Sequence, residues 1–210
     1  MNLTKKVEND NSIKIFELYN SNEEYAIVME LCDCNLKKKL DETSNGFGVD
    51  EIKMILTQLN NTFRLMINNN IIHRDIKLEN ILVKEWKNEN YCVKLCDYGI
   101  SKEFKTLSKK KGTFTGTINT MAPEIMKEEP YNNKCDLWSL GVIIYQLCFK
   151  KFPYTATTPY GIIKEINQFE QKLFQKTNDH NLNDLISKLL KPNPDKRITW
   201  DEYFNHSFFK

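Results

Sequence analysis

Absences narrow the class of this 210-residue chain before any motif is read. No apolar run approaches the length that a membrane-spanning helix needs, so a transmembrane segment and a membrane partner are not expected. The opening stretch, MNLTKKVENDNS, lacks the apolar core of a secretory leader. Neither sign of charge dominates: 30 Lys and Arg against 28 Asp and Glu leave a formal net charge of +2. That balance gives no reason to expect nucleic acid or a membrane surface as a partner. There is no internal repeat and no low-complexity tract, although Asn is used heavily. The six cysteines, Cys32, Cys34, Cys92, Cys96, Cys135 and Cys148, form one C-x-C and one C-x3-C without a neighbouring His. Zinc is therefore not expected, and free thiols in a reducing compartment are. The expected location is the cytoplasm, with the nucleus as the other choice.

What is present reads as a hairpin followed by a mostly helical domain. SIKIFELYNSNEEYAIVMELC (12–32) contains two β runs about the polar turn NSNEE. NLKKKLDETSNGFG then predicts a short helix and a loop. Apolar residues at Ile52, Ile55, Leu56, Leu59, Phe63, Met66 and Ile67 have helical spacing, with Asp50 placed as the N-cap. The pieces NIIH, NILVK and YCVKLC read as short strands. Residues 97–124 carry many Ser, Thr and Lys and no periodicity. CDLWSLGVIIYQLCF (135–149) is apolar nearly all round, as in a helix buried in the middle of a domain. Leu182, Leu185, Ile186, Leu189 and Leu190 predict an amphipathic helix stopped by KPNP, and a last short helix starts near Thr199. GFG (46–48) follows no strand and is read as a loop, not a phosphate cradle. Lys37 to Lys39 and Lys109 to Lys111 are read as solvated charge.

The stretch IIHRDIKLEN (71–80) raises a chemical question, because two isoleucines lead straight into a cluster of charges and amides. In an extended loop Asp75 and Lys77 would point the same way, and Asn80 would return to them as the next strand begins. About twenty residues on, KLCDYGIS presents Asp97 at a strand end, followed by Gly99, which lets the backbone turn. Asn80 and Asp97 offer a few hard oxygen ligands, which suits Mg²⁺ shared with phosphates. Asp75 could accept a hydroxyl proton, and Lys77 could neutralise charge on a phosphoryl group as it moves. Phosphoryl transfer through a loose transition state needs positioning and electrostatics more than a strong nucleophile.

HRDIKLEN, DYG and MAPE, in that order, resemble the catalytic loop, metal-binding triplet and activation-segment end of the eukaryotic protein kinases. DLWSLGVIIYQL is similar to the central helix of the kinase C-lobe, and KPNPDKRITWDEYFNHSFF to its last two helices. The resemblance covers about residues 12–209. It implies an α+β, protein-kinase-like fold in three stretches: a polar segment (1–11), the last two N-lobe strands with the hinge (12–32), and a mainly helical C-lobe (33–210). It implies a Ser/Thr kinase that uses ATP and Mg²⁺ and acts on protein hydroxyls. Asp75 would orient or deprotonate the substrate hydroxyl, Lys77 would stabilise the γ-phosphate, and Asn80 and Asp97 would hold the metal. Main-chain groups of Glu30 and Cys32 would meet adenine, with Met29 as gatekeeper. Lysine two places after Asp75 is the Ser/Thr form of the loop, and Thr117 matches the threonine that contacts the catalytic Asp. His73 resembles a packed spine residue. Glu124 and Arg197 match a buried ion pair, and Asp136 an aspartate that bonds the catalytic loop.

The sequence also departs from that pattern. Tyr98 stands where Phe is usual and needs a hydroxyl partner if buried. Thr120 replaces Tyr before MAPE, Ile118 replaces Pro, and Leu78 stands where Pro is common. Arg74 before Asp75 suggests regulation by a phosphate on the activation segment, with Thr113 and Thr115 the best placed acceptors for an activating kinase and Ser108 less so. Nothing before residue 12 resembles a glycine-rich loop, a Val-Ala-x-Lys strand or the helix that pairs with it. The expectation is a truncated Ser/Thr kinase sequence. The alternative is an inactive, kinase-like interaction module.

Overall fold

The computed structural model describes residues 5–20, 25–85, 91–98, 101–103, 117–168 and 175–210. The hairpin is the first element, with β1 (Ile15–Asn20) antiparallel to β2 (Tyr25–Met29). Its register slips between Ile15 and Glu17, and Phe16, Tyr19, Ile27, Val28 and Met29 are all exposed. Two strands with their apolar side chains exposed gain little from burial, so the hairpin depends on its attachment to the rest of the chain. Glu30 provides part of that attachment. Its carboxylate accepts the Lys14 N–H at 2.9 Å and pairs with Lys94 at 3.0 Å and Lys84 at 3.5 Å, both on the neighbouring sheet. Burial disfavours ionised Glu30, but these partners outweigh it and hold its carboxyl below the ordinary range.

That sheet has three strands in the order β3 (Cys34–Asn35), β5 (Ile81–Glu85), β6 (Tyr91–Leu95), all antiparallel. A separate ladder joins β4 (Ile71–Ile72) to β7 (Lys102–Glu103). The expected strand NIIH is thus only two residues long. NILVK begins as a 3₁₀ turn over Leu78–Asn80 before β5.

Helices supply the core. The predicted α1 (Leu36–Asp41) and α2 (Val49–Asn68) form, and α2 buries Ile52, Ile55, Leu56, Leu59, Phe63 and Met66 along one stripe. Asp50 is not its N-cap: Gly48 occupies that position, and Asp50 and Glu51 lie in the first turn, where carboxylates favour the helix dipole. α2 stops at the Asn run, with Asn70 at φ 54°, a left-handed turn that Asn tolerates. α3 (Pro123–Met126) is a single turn, and α4 (Lys134–Phe149) is buried from Cys135 to Leu147. α5 (Pro159–Ile166) packs on α3, α6 (His180–Leu189) packs against α4, and α7 (Trp200–Phe204) sets Trp200 against Phe63 of α2; the three are capped by Thr158, Asp179 and Thr199. Thr199 and Glu202 form a reciprocal capping box. Lys39 is not simply solvated, since its ammonium lies 4.4 Å from the Tyr91 ring centroid.

The stretch read as polar and unpatterned is also part of this core. Val7 is fully buried, and Asn11 and Ser12 are buried with it. The backbone of Asn11 and Ile13 bonds both sides of Leu95 at 2.9 Å, and the Asn11 amide donates to Val93 O at 2.9 Å. Asn11 replaces an apolar pattern here by satisfying the backbone of β6, which is why hydrophobic periodicity did not reveal the segment.

Candidate active site

The loop between β4 and β5 is anchored from below by Asp136 of α4. Its two carboxylate oxygens accept the backbone N–H groups of His73 at 2.8 Å and Arg74 at 2.9 Å. Arg74 sits at φ 69°, a conformation that costs a non-glycine residue energy and persists where surrounding bonds fix it. His73 is fully buried, which lowers its pKa to about 4. The neutral ring then accepts the Asp75 N–H at Nδ1, at 3.4 Å, and donates from Nε2 to Cys96 O at 3.0 Å. One imidazole thereby ties the loop bearing Asp75 to the strand end bearing Asp97.

Asp75, Lys77, Asn80 and Thr117 come together as one bonded group. Asp75 Oδ1 accepts both the backbone N–H and the hydroxyl of Thr117, each at 3.0 Å. Its Oδ2 faces the Lys77 ammonium at 2.7 Å and the Asn80 amide at 3.0 Å. Lys77 also donates to the Thr117 hydroxyl at 2.8 Å, closing the ring of contacts. Burial opposes ionisation of Asp75, but Lys77 and Thr117 together outweigh it and keep the carboxyl below its ordinary value. The site thus holds a carboxylate and an ammonium in fixed register.

Asn80 spends its amide nitrogen on Asp75, through the side chain at 3.0 Å and the backbone oxygen at 2.9 Å. Its own carbonyl accepts Cys96 N–H at 2.9 Å, which brings the start of the DYG triplet beside it. Asp97 is exposed and adopts φ 63°. Among the described residues no cluster of three metal-ligating side chains occurs. Two hard oxygen donors, the Asn80 side-chain carbonyl and the Asp97 carboxylate, fit a Mg²⁺ that takes its remaining ligands from phosphates and water.

At the hinge, Met29 is exposed and Cys32 half-buried, and the Glu30 N–H is spent on Lys14 O at 2.9 Å. Burial pushes the Cys96 thiol up to about 12, so it is a poor nucleophile. Glu124 and Arg197 form the expected buried pair, bidentate at 2.7 and 2.9 Å. Arg74 is buried, 3.3 Å from the Tyr131 hydroxyl, with its Nε unpartnered among the described residues. Gly99, Ser108, Thr113, Thr115 and Lys109 to Lys111 lie outside the described residues.

Two contacts were not foreseen. Tyr98 is buried with its hydroxyl 3.1 Å from Ser12 Oγ and its ring 5.1 Å from that of His73. The need for a hydroxyl partner was legible, but no local spacing links Ser12, at the start of the expected hairpin, to Tyr98. The Glu30 pairing with Lys84 and Lys94 was likewise hidden, since no local spacing links a hinge residue to β5 and β6.

A protein kinase domain model matches residues 1–209. The chain is similar to the serine/threonine-protein kinase TIO of Arabidopsis thaliana, at 30% identity over 99% of this chain and 15% of that one. It is similar to the serine/threonine-protein kinase pakG of Dictyostelium discoideum, at 32% identity over 99% of this chain and 18% of that one. Serine/threonine-protein kinase 33 of Mus musculus shares 32% identity over 99% of this chain and 44% of its own length. The chain thus spans less than half of each of these relatives. With HRDIKLEN and Thr117 gathered at one site and the match running from the first residue to the last helix, the chain belongs to the protein kinase family, among the serine/threonine kinases.

Proposed function

We propose that the protein transfers the γ-phosphate of ATP to serine or threonine hydroxyls of other proteins, with Mg²⁺, in the cytoplasm. The observation that supports this reading is the bonded group of Asp75, Lys77, Thr117 and Asn80. In it Asp75 takes the substrate hydroxyl as hydrogen-bond acceptor, fixed in direction by Thr117. Lys77, held within reach of Asp75, shifts toward the charge that develops on the transferring phosphoryl group. Asn80 and Asp97 hold the metal, which when bound neutralises phosphate charge. Backbone groups of Glu30 and Cys32 meet adenine beside Met29. Arg74, buried with an unpartnered Nε, suits a phosphate placed on Thr113 or Thr115 by an activating kinase.

A second reading is a kinase-like module that binds a partner and transfers nothing. The exposed Phe16, Ile27, Val28, Met29 and Leu31 along the hairpin and hinge favour it. The two separate in one assay. Protein purified from its own cells is given γ-labelled ATP, Mg²⁺ and a mixed Ser/Thr protein substrate, beside an Asp75→Asn variant. Transfer that vanishes in the variant supports the kinase, and equal background from both would establish the module.

A further inference from the structure

We infer that the hydrogen bond between Ser12 and Tyr98 is a positioning device for Asp97, peculiar to the tyrosine this chain carries in its metal-binding triplet. The inference rests on the kinase reading only for the use to which Asp97 is put.

Asp97 adopts a left-handed conformation, φ 63°, which Asp tolerates better than most residues and which is held in place where its neighbours are fixed. Both neighbours are. On one side Cys96 donates its N–H to Asn80 O at 2.9 Å and accepts His73 Nε2 at 3.0 Å through its carbonyl. On the other, Tyr98 rests its ring 5.1 Å from that of His73 and bonds Ser12 Oγ at 3.1 Å. Ser12 is itself immobilised. It bridges Leu95 in parallel register, and the residues on either side of it bond the Leu95 backbone. Ser12 is 2% and Tyr98 8% exposed, so water is a poor substitute for either hydroxyl. A phenylalanine would keep the ring contact and forfeit the second anchor. Ser12 thus reaches from the segment ahead of β1 to the metal-binding turn, and Tyr98 holds the far side of Asp97 as His73 holds the near side. Neither need touch a substrate; both are positioning residues.

The test uses the whole chain as Tyr98→Phe, Ser12→Ala and the double variant. A single change leaves the partner hydroxyl buried and unpaired, whereas the double change removes both and should recover most of the stability lost. If the bond is only structural, the double variant is restored in every respect. If it positions Asp97, amide exchange in a peptide spanning 96–98 stays faster in the double variant by about five-fold, as one lost hydrogen bond implies. Exchange in α4 stays unchanged. The affinity for Mn²⁺ with ADP, read by the Mn²⁺ electron-spin signal, falls by a similar factor. Unchanged exchange at 96–98 in the double variant would overturn the inference. Should the parent chain bind no Mn²⁺ with ADP, the kinase reading fails, while the exchange measurement still decides whether Ser12 holds the turn.

Discussion

Thr117 donates twice to one oxygen of Asp75, from its backbone N–H and from its hydroxyl, each at 3.0 Å. Lys77 can only donate, and it donates to the same hydroxyl at 2.8 Å, so the threonine proton must point at Asp75. Thr117→Ala keeps the backbone bond and loses the hydroxyl. The expected result is a fall in kcat of about 10- to 100-fold, the worth of a hydrogen bond to a charged group. The acidic limb of the rate profile should move to higher pH, because Asp75 loses a partner that lowers its pKa. Thr117→Ser should stay within a few-fold of the parent. A steady-state rate profile across pH checks all three.

Three members of this bonded group were legible because the sequence brings them together locally. Asp75, Lys77 and Asn80 lie within six positions, and an extended loop followed by a 3₁₀ turn is enough to gather them. Helices α2, α4 and α6 were legible for a similar reason, since their apolar spacing is a property of each segment alone. The cap of α2 was missed because Gly48 offers no side chain as a signal. The docking of Val7 and Asn11, the Ser12–Tyr98 bond and the Glu30 pairs join residues far apart in sequence. Their chemistry is polar and occurs once, so no period announces it.

The Glu124–Arg197 pair should be costly to break on one side only. Arg197 is 2% exposed, bidentate to Glu124, and donates to the carbonyls of Lys134 and Lys191 as well. Removing only the carboxylate strands a buried guanidinium, so Glu124→Ala should cost about 3–5 kcal/mol. Urea unfolding followed by circular dichroism measures it. A loss below about 1 kcal/mol would show that water reaches Arg197 and that the pair is less isolated than its geometry implies.

Gly141 is where α4 and α6 touch. A Cβ placed there would lie 2.8 Å from Leu189 Cβ and 3.0 Å from Leu190 Cδ2. Gly141→Ala improves helix propensity by roughly 1 kcal/mol, yet the overlap should outweigh it and leave the domain about 1–3 kcal/mol less stable. Gly48→Ala meets open space and serves as the steric control, expected to cost about 0.5–1 kcal/mol because it puts alanine at the N-cap of α2. Parallel thermal unfolding of the two variants reads the contrast, and a Gly141→Ala protein as stable as the control would mean that α6 yields.

His73 and Asp136, joined backbone to carboxylate at 2.8 Å, titrate in opposite senses on folding. Burial lowers His73 to about 4 from an unfolded 6.5, so unfolded chains hold a proton that the folded state lacks, and stability rises with pH across that window. Burial raises Asp136 to about 6 from 3.8, so the folded state holds the extra proton, and its contribution falls as pH rises through the same range. Each slope approaches about 1.4 kcal/mol per pH unit, and between about pH 4 and 6 they oppose one another. Asp136→Asn removes the falling slope and leaves the His73 slope standing. The variant should be less stable at every pH, because an amide replaces one of the two acceptors with a donor. Its deficit should shrink steadily from pH 4 to pH 6 and then level off. Urea midpoints at half-unit steps for both proteins trace this, and two parallel curves would show that Asp136 stays ionised in its buried setting and that its two backbone donors, with Arg74 nearby, overcome the cost of burial.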